Sequence, residues 1–221
     1  LIRAGEIGEP KIFSSTFSFQ SPETNHRLLA EHWGGPLQDI GVYCLNAARH
    51  CLGGEPTEVH AMKVHGNGDL RFREVEGSLA ATMRFPKDRL AQFVISFEGE
   101  ESDTYRIIGT EGVMLAPHMS TPRLFPSEKF EGFKYPKLEP RDHYMEFVES
   151  ARGASGKKPS ANFEDYSGPL TETVLLGCLA TLFPGEQLDW EAEKLAVTNH
   201  ERANLQVGRE YREGWKPKAL S

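Results

Sequence analysis

Four polar side chains in one stretch of this sequence have the types and spacing to bind a hydroxylated ligand and move a proton: Asp39, Tyr43, Asn46 and His50. They recur at intervals of four, three and four. Each residue advances about 100° around a helix, so these intervals put a carboxylate, a phenol, an amide and an imidazole on one side. Leu37, Ile40, Cys44, Leu45, Ala48, Cys51 and Leu52 share the other side, a broad apolar face that must be core. The spacing therefore predicts an amphipathic helix over residues 37–52. Gly35-Pro36 is its start signal and Gly53-Gly54 its stop. The chemistry that fits these groups is alcohol oxidation. Taking a hydride from a carbinol carbon requires a proton to leave the hydroxyl, and a phenol can accept it where a nearby cation lowers its pKa from about 10. Asp39, one turn earlier, can hold the substrate hydroxyl or orient Tyr43. An ordinary solvated helix face satisfies the same spacing, so at this level both readings stand.

The elements that must position these groups follow from the hydrophobic period. Residues 11–20, KIFSSTFSFQ, alternate late in the run and read as a strand. After the helix the alternation becomes strand-like. Residues 57–64, 76–85 and 90–98 read as strands, the last two joined by the turn at 86–89. Residues 104–108 and 112–116 flank a further turn, and 123–125 read as a short strand. The last third is helical: residues 141–152, with Tyr144, Phe147, Val148 and Ala151 at helical spacing; 170–182, opened by Gly168-Pro169; and a surface helix over 199–212. The loop 153–160, GASGKKPS, reads as a flexible connection inside a single domain. Strands first, with helices bracketing them, predict an α+β domain: a mainly antiparallel, open-faced sheet with helices packed on one face.

Composition narrows the function classes. Acidic residues outnumber basic ones, 32 to 25, for a net charge of −7, which favours neither nucleic acid nor an anionic membrane as partner. No apolar run reaches the roughly 20 residues of a membrane span. Cys44, Cys51 and Cys178 are odd in number and show no C-x-x-C spacing, which argues against a disulfide framework or a zinc site and for buried free thiols. The histidines show no ligand spacing with a carboxylate or thiol on one helix face, so no metal is expected. His143 opens the helix after the sheet and is a candidate to reach the substrate cleft.

Residues 34–43, GGPLQDIGVY, resemble the G-G-x-L-x-D-x-G-x-H/Y segment of the glucose–fructose oxidoreductase, inositol dehydrogenase and MocA family. Residues 5–12, GEIGEPKI, are similar to the entry into that family's second domain. Arg27 sits where many members carry an arginine shortly before the glycine pair. Residues 166–172, YSGPLTE, and the tail from Asp189-Trp190 to Trp215 look like a bacterial subgroup of the same family. The pieces run in order nearly from end to end of the chain.

The resemblance implies a substrate-side C-terminal domain spanning residues 1–221, with a nucleotide-binding Rossmann domain expected upstream of it. It implies an oxidoreductase dependent on NAD or NADP, acting on a sugar, polyol or related carbonyl compound, and self-associating through the open sheet face. By the same resemblance Tyr43 is the acid/base group, where the family's usual residue is histidine, and Asp39 is its substrate-binding partner. Arg27, Asn46 and His143 are the substrate-binding candidates. The family's G-x-G-x-x-G loop and its Glu-Lys-Pro lysine are missing from this chain, whose one G-x-G, Gly66-Asn67-Gly68, falls in a polar loop. This domain alone is therefore expected to be inactive. Two alternatives remain: a non-catalytic binding or assembly module of the same family, and an NAD-dependent glycoside-cleaving relative. A cytoplasmic site is expected, with a periplasmic one left open because any export signal would precede residue 1.

Overall fold

The computed structural model describes residues 1–216 apart from 24, 119, 154, 155 and 157, so the connection expected at 153–160 lies partly outside the described residues. Period-two alternation builds the sheet. Its central strand, β1 (Pro10–Ser18), lies between β4 (Arg89–Ser96), with which it runs parallel, and β5 (Ser102–Gly109), with which it runs antiparallel. All other neighbours are antiparallel. With β2 (Glu58–Val64), β3 (Ser78–Phe85), β6 (Val113–Ala116), β7 (Arg123–Phe125), β8 (Gln187–Glu191) and β9 (Ala196–Val197), the order is β7-β6-β5-β1-β4-β3-β2-β8-β9. The parallel β1–β4 pair requires a crossover, and the intervening chain supplies it through the helix after β1.

One face of the sheet is closed. Phe13, Leu79, Ala81, Met83, Ala91, Phe93, Ile95 and Ile107 are buried, while Ala80, Thr82, Arg84, Gln92 and Val94 between them are exposed. Two helices cover the closed face: α1 (Val42–Leu52), which lies on β1, and α3 (Gly168–Leu182), which lies on β2 and against α1. The helix expected over 37–52 begins with a π-helical turn, Leu37–Gly41, before becoming α. Its seven expected core residues are all buried. The fold is the expected α+β one, an open mixed sheet with helices on one face.

The helix expected over 141–152 is present, and three other elements depart from the sequence-based expectation. Helix α2 (His143–Ala151) buries none of its residues, and Tyr144 and Phe147 stand out into solvent. Helical structure expected over 199–212 is confined to α4 (Glu201–Asn204), because Ala203 alone of that turn is buried and a short helix without a packed face does not propagate. Strands β8 and β9 were not expected. Their alternation is too brief to register, and β8 is fixed by pairing with the edge of β2, Leu188 opposite Val59.

A polar link ties the helices together. Buried Arg49 on α1 donates from Nε (2.6 Å) and from a terminal nitrogen to Glu55, and the Thr173 hydroxyl of α3 donates to the same carboxylate at 3.2 Å. Removing one partner of a buried charged pair strands the other. Glu55→Ala is therefore expected to lower unfolding stability by about 2 kcal/mol, less than for a fully enclosed pair because Glu55 is partly exposed. Chemical denaturation of the two proteins checks it.

Candidate active site

The loop before α1 is built around the glycine pair. The Gly35 amide donates to the Arg27 carbonyl at 2.9 Å and the Gly34 amide to that of Leu29 at 3.0 Å. A Cβ on Gly34 would lie 2.2 Å from the Arg27 carbonyl oxygen, and Gly35 adopts φ +131, so neither position accepts a side chain without strain. The Asn25 side chain meanwhile caps the short 3-10 turn His26–Leu28 by accepting from the Arg27 amide. This closure brings the Arg27 side chain over the π-helical turn, where its Nε lies 2.6 Å from Asp39 Oδ1. Arg27 and Asp39, twelve residues apart, are thus one ion pair at the head of α1.

Tyr43 follows one turn later. It is 54% exposed, and its ring lies 5.4 Å from that of Phe17 at the end of β1. Among the described residues no hydrogen bond holds its hydroxyl. Asn46 is fixed from outside the helix, its Oδ1 accepting from the Tyr166 hydroxyl at 3.0 Å. Tyr166 belongs to a second π-helical turn, Phe163–Ser167, which leads into α3. His50 is solvent-facing, yet partial desolvation, and after it the Arg3 charge, holds its imidazole pKa below the ordinary value, favouring the neutral ring. The structure does not bring His143 to this group. It stands exposed at the start of α2, its ring 4.1 Å from that of Tyr144 and tilted 34° to it.

Between α1 and the β1–β5 pair lies a pocket of about 400 Å³, lined by Tyr43, Asn46 and His50 from the helix and by Phe17, Asp103 and Tyr105 from the strands. Ser15 lies in its floor, buried and without a hydrogen-bond partner, close to the Cys44 thiol. Asp103 pairs in register with Phe17, and its carboxylate accepts from His118 Nδ1 at 2.7 Å. Burial raises the Tyr105 phenol above its usual pKa and pushes Cys51 to about 12, so both stay protonated. Of these, Phe17, Asp103, Tyr105, Tyr166 and His118 were not read from the sequence. Phe17, Asp103 and Tyr105 reach the pocket through strand register and Tyr166 through a distant turn, which no local spacing announces, while His118 is not among the lining residues and meets Asp103. A larger groove of about 790 Å³ runs along α3 and is mainly apolar, with Trp33, Phe163, Leu175 and Leu182 in its walls. None of the four polar residues of α1 lines it.

Gly66–Gly68 forms a 3-10 turn followed by a second one, Leu70–Phe72, with no strand-to-helix junction around it, so it does not fit a dinucleotide phosphate. Among the described residues no group of three His, Cys, Asp or Glu side chains is placed to hold a metal ion. No helix of the described residues is long and apolar enough to cross a membrane.

Residues 1–115 match the model of the GFO/IDH/MocA C-terminal domain. The chain belongs to the GFO/IDH/MocA family. The match takes in β1 to β5, the glycine pair, α1 and all but the last residue of β6, so the α1 wall of the pocket lies within the family domain. The chain is 30% identical over 123 residues to dTDP-3,4-didehydro-2,6-dideoxy-alpha-D-glucose 3-reductase from Saccharopolyspora spinosa, a match covering 55% of this chain and 36% of that protein. Its fold is similar to that of the Caulobacter crescentus aldose-aldose oxidoreductase complexed with glycerol (TM-score 0.65, 23% identity, 86% of this chain and 58% of that one). It is also similar to that of the WlbA dehydrogenase of Bordetella pertussis in complex with NADH and UDP-GlcNAcA (TM-score 0.65, 14% identity, 86% and 58%). The chain thus matches about a third of the length of the curated relative and somewhat over half of the solved chains.

The glycine clamp and the ion pair it positions should differ sharply in energetic weight. Gly34→Ala forces a methyl group into the Arg27 carbonyl and is expected to cost about 1–3 kcal/mol. Arg27→Ala removes a partly exposed pair and should cost within about 1 kcal/mol. Urea midpoints of the two variants test the contrast.

Proposed function

We propose that this GFO/IDH/MocA domain is the substrate-binding side of an NAD(P)-dependent oxidoreductase acting on a sugar, polyol or related carbonyl compound. The observation that carries the reading is the placement of Tyr43: an exposed phenol at the mouth of a polar and aromatic pocket, one helical turn from the Arg27–Asp39 pair. Tyr43 exchanges the proton of the reacting hydroxyl. Asp39, held by Arg27, positions that hydroxyl. Asn46, held by Tyr166, offers its amide to a further one. Relatives named as a sugar reductase and an aldose oxidoreductase, and a structural neighbour bound to NADH, support the substrate and cofactor class. The nicotinamide, when bound, accepts or donates the hydride; its phosphates require a nucleotide-binding domain, since no described residue of this chain cradles them. The apolar groove along α3, with Phe163 and Trp33 87% and 60% exposed, suits contact with such a domain.

With the nucleotide-binding domain in place, Tyr43→Phe should keep the ring's contact with Phe17 while removing the proton carrier. General acid/base help is worth about 10²–10⁴-fold, so kcat should fall by that order with cofactor affinity nearly unchanged. Steady-state kinetics decide it, and a fully active variant would remove Tyr43 from the role. Calorimetry of this chain alone with NAD and with NADP should show no tight binding.

The open face of the sheet favours self-association. Ile12, Leu90, Val94, Met62 and Val64 are exposed on it, among Arg84, Gln92 and Thr82. We propose that a second copy covers this face, burying more than about 1,000 Å². Sedimentation should give a dimer or larger species, and Val94→Asp should shift it toward monomer. A monomer for the unaltered chain at high concentration would count against this contact.

A further inference from the structure

We propose that the pocket between α1 and the β1–β5 pair selects an uncharged monosaccharide ring and turns away sugars bearing a carboxylate or phosphate. This rests on the reading of the chain as the sugar-binding side of an oxidoreductase, and adds the charge class of the substrate and the residue that sets it. At about 400 Å³ the pocket is within the range of roughly 300–1,000 Å³ of small-molecule sites. Its walls alternate aromatic rings with polar tips. A pyranose is apolar on its two faces, where C–H bonds point, and polar around its edge. Phe17 and Tyr105 supply flat surfaces for a face, and both belong to neighbouring strands of the closed side of the sheet.

The edge of the ring meets groups of complementary sense. Asn46 already spends its Oδ1 on Tyr166, which leaves its amide nitrogen as donor. Asp103 is an acceptor at the rim, its side chain one-fifth exposed and its orientation fixed by His118. Thr104 and His50 also line the space. Asp103 is the one formally charged group among the Asp, Glu, Lys and Arg side chains of the lining, and no lysine or arginine faces it there. Arg3, whose charge reaches His50, lines a neighbouring pocket with Arg49 and Arg89. An anionic ligand would place like charge against Asp103 in a partly desolvated space, where repulsion is stronger than in water.

The test is a ¹⁵N–¹H NMR titration of the 221-residue chain with methyl α-D-glucopyranoside and, separately, with D-glucuronate. It is run near pH 8, above the ordinary imidazole pKa of about 6.5. The glycoside is expected to shift the amides of Phe17, Asn46, Thr104 and Tyr105, with a Kd about tenfold or more below that of glucuronate. Asp103→Asn should narrow that gap to about threefold or less with only a small change in thermal midpoint, since the amide oxygen still accepts from His118 and a partly exposed ion pair contributes little to stability. The proposal is overturned by glucuronate binding as tightly as the glycoside, by no saturable binding of either, by shifts lying outside the pocket, or by selectivity that Asp103→Asn leaves intact. Any of these leaves the role of Tyr43 to stand on the kinetics of Tyr43→Phe. A fully active Tyr43→Phe enzyme alongside selective glycoside shifts would remove that role and keep the pocket.

Discussion

The burial of one face of α1 against the sheet is the interaction on which the cleft depends. Leu37, Leu45, Ala48 and Leu52 are almost wholly closed to solvent against β1, β4 and α3. Burying a Leu-sized side chain contributes roughly 1.5–3 kcal/mol, so a rotation of the helix that exposed this face would forfeit several such contributions at once. Tyr43, Asn46 and His50 are therefore aimed by the residues on the far side of their own helix, and need few bonds of their own to be held. The π-helical turn at its head depends on the same packing. A Cβ on Gly41 would lie 2.7 Å from Leu37 Cδ1 and 2.8 Å from Ile95 Cδ1, so any larger residue here would displace those side chains where the turn packs on β4. Such turns are frequent at functional sites, and this one carries Asp39.

The same packing explains what the sequence discloses. Residues 37–52 and the strands β2 to β4 were legible because each has one face in the core, and a buried face writes its period into the chain. The pairing of Arg27 with Asp39 was half legible: the residue types and the glycine pair are visible, but the 2.6 Å contact results from the closure of the loop on the Arg27 carbonyl. The strand-side wall of the pocket was not legible. Asp103 and Phe17 are neighbours only through the β1–β5 register, and Tyr166 reaches Asn46 across 120 residues. Contacts of that separation are set by topology, and a spacing rule that works along one helix has no purchase on them.

Polar groups inside the core follow a consistent division. Arg49 is buried but answered by Glu55 and Thr173, and this network joins α1 to α3. The thiols of Cys44, Cys51 and Cys178 are buried among apolar neighbours, and desolvation raises their pKa, to about 12 for the latter two. They behave as small hydrophobes, which fits their positions on the core faces of α1 and α3. The ionisable groups that line the pocket with unburied side chains include Tyr43, His50 and Asp103, while Asp39 lies one turn before Tyr43 on its own ion pair with Arg27.

Helix α2 shows what periodicity leaves out. Tyr144 and Phe147 have the helical spacing of a buried face, and the chain does form a helix there, yet both stay largely exposed. Phe163, Trp33 and Leu182 around α3 present the same pattern, and so do Met62 and Val94 on the open side of the sheet. A hydrophobic period states that a face is to be covered and is silent about by what. Where the cover lies within the chain, as for β3 and β4 beneath α1 and α3, sequence and structure agree on burial. Where it does not, large apolar side chains stay exposed, as along α3 and on the open side of the sheet. The groove along α3 and the open sheet face lie on opposite sides of one sheet, so covering one does not require covering the other.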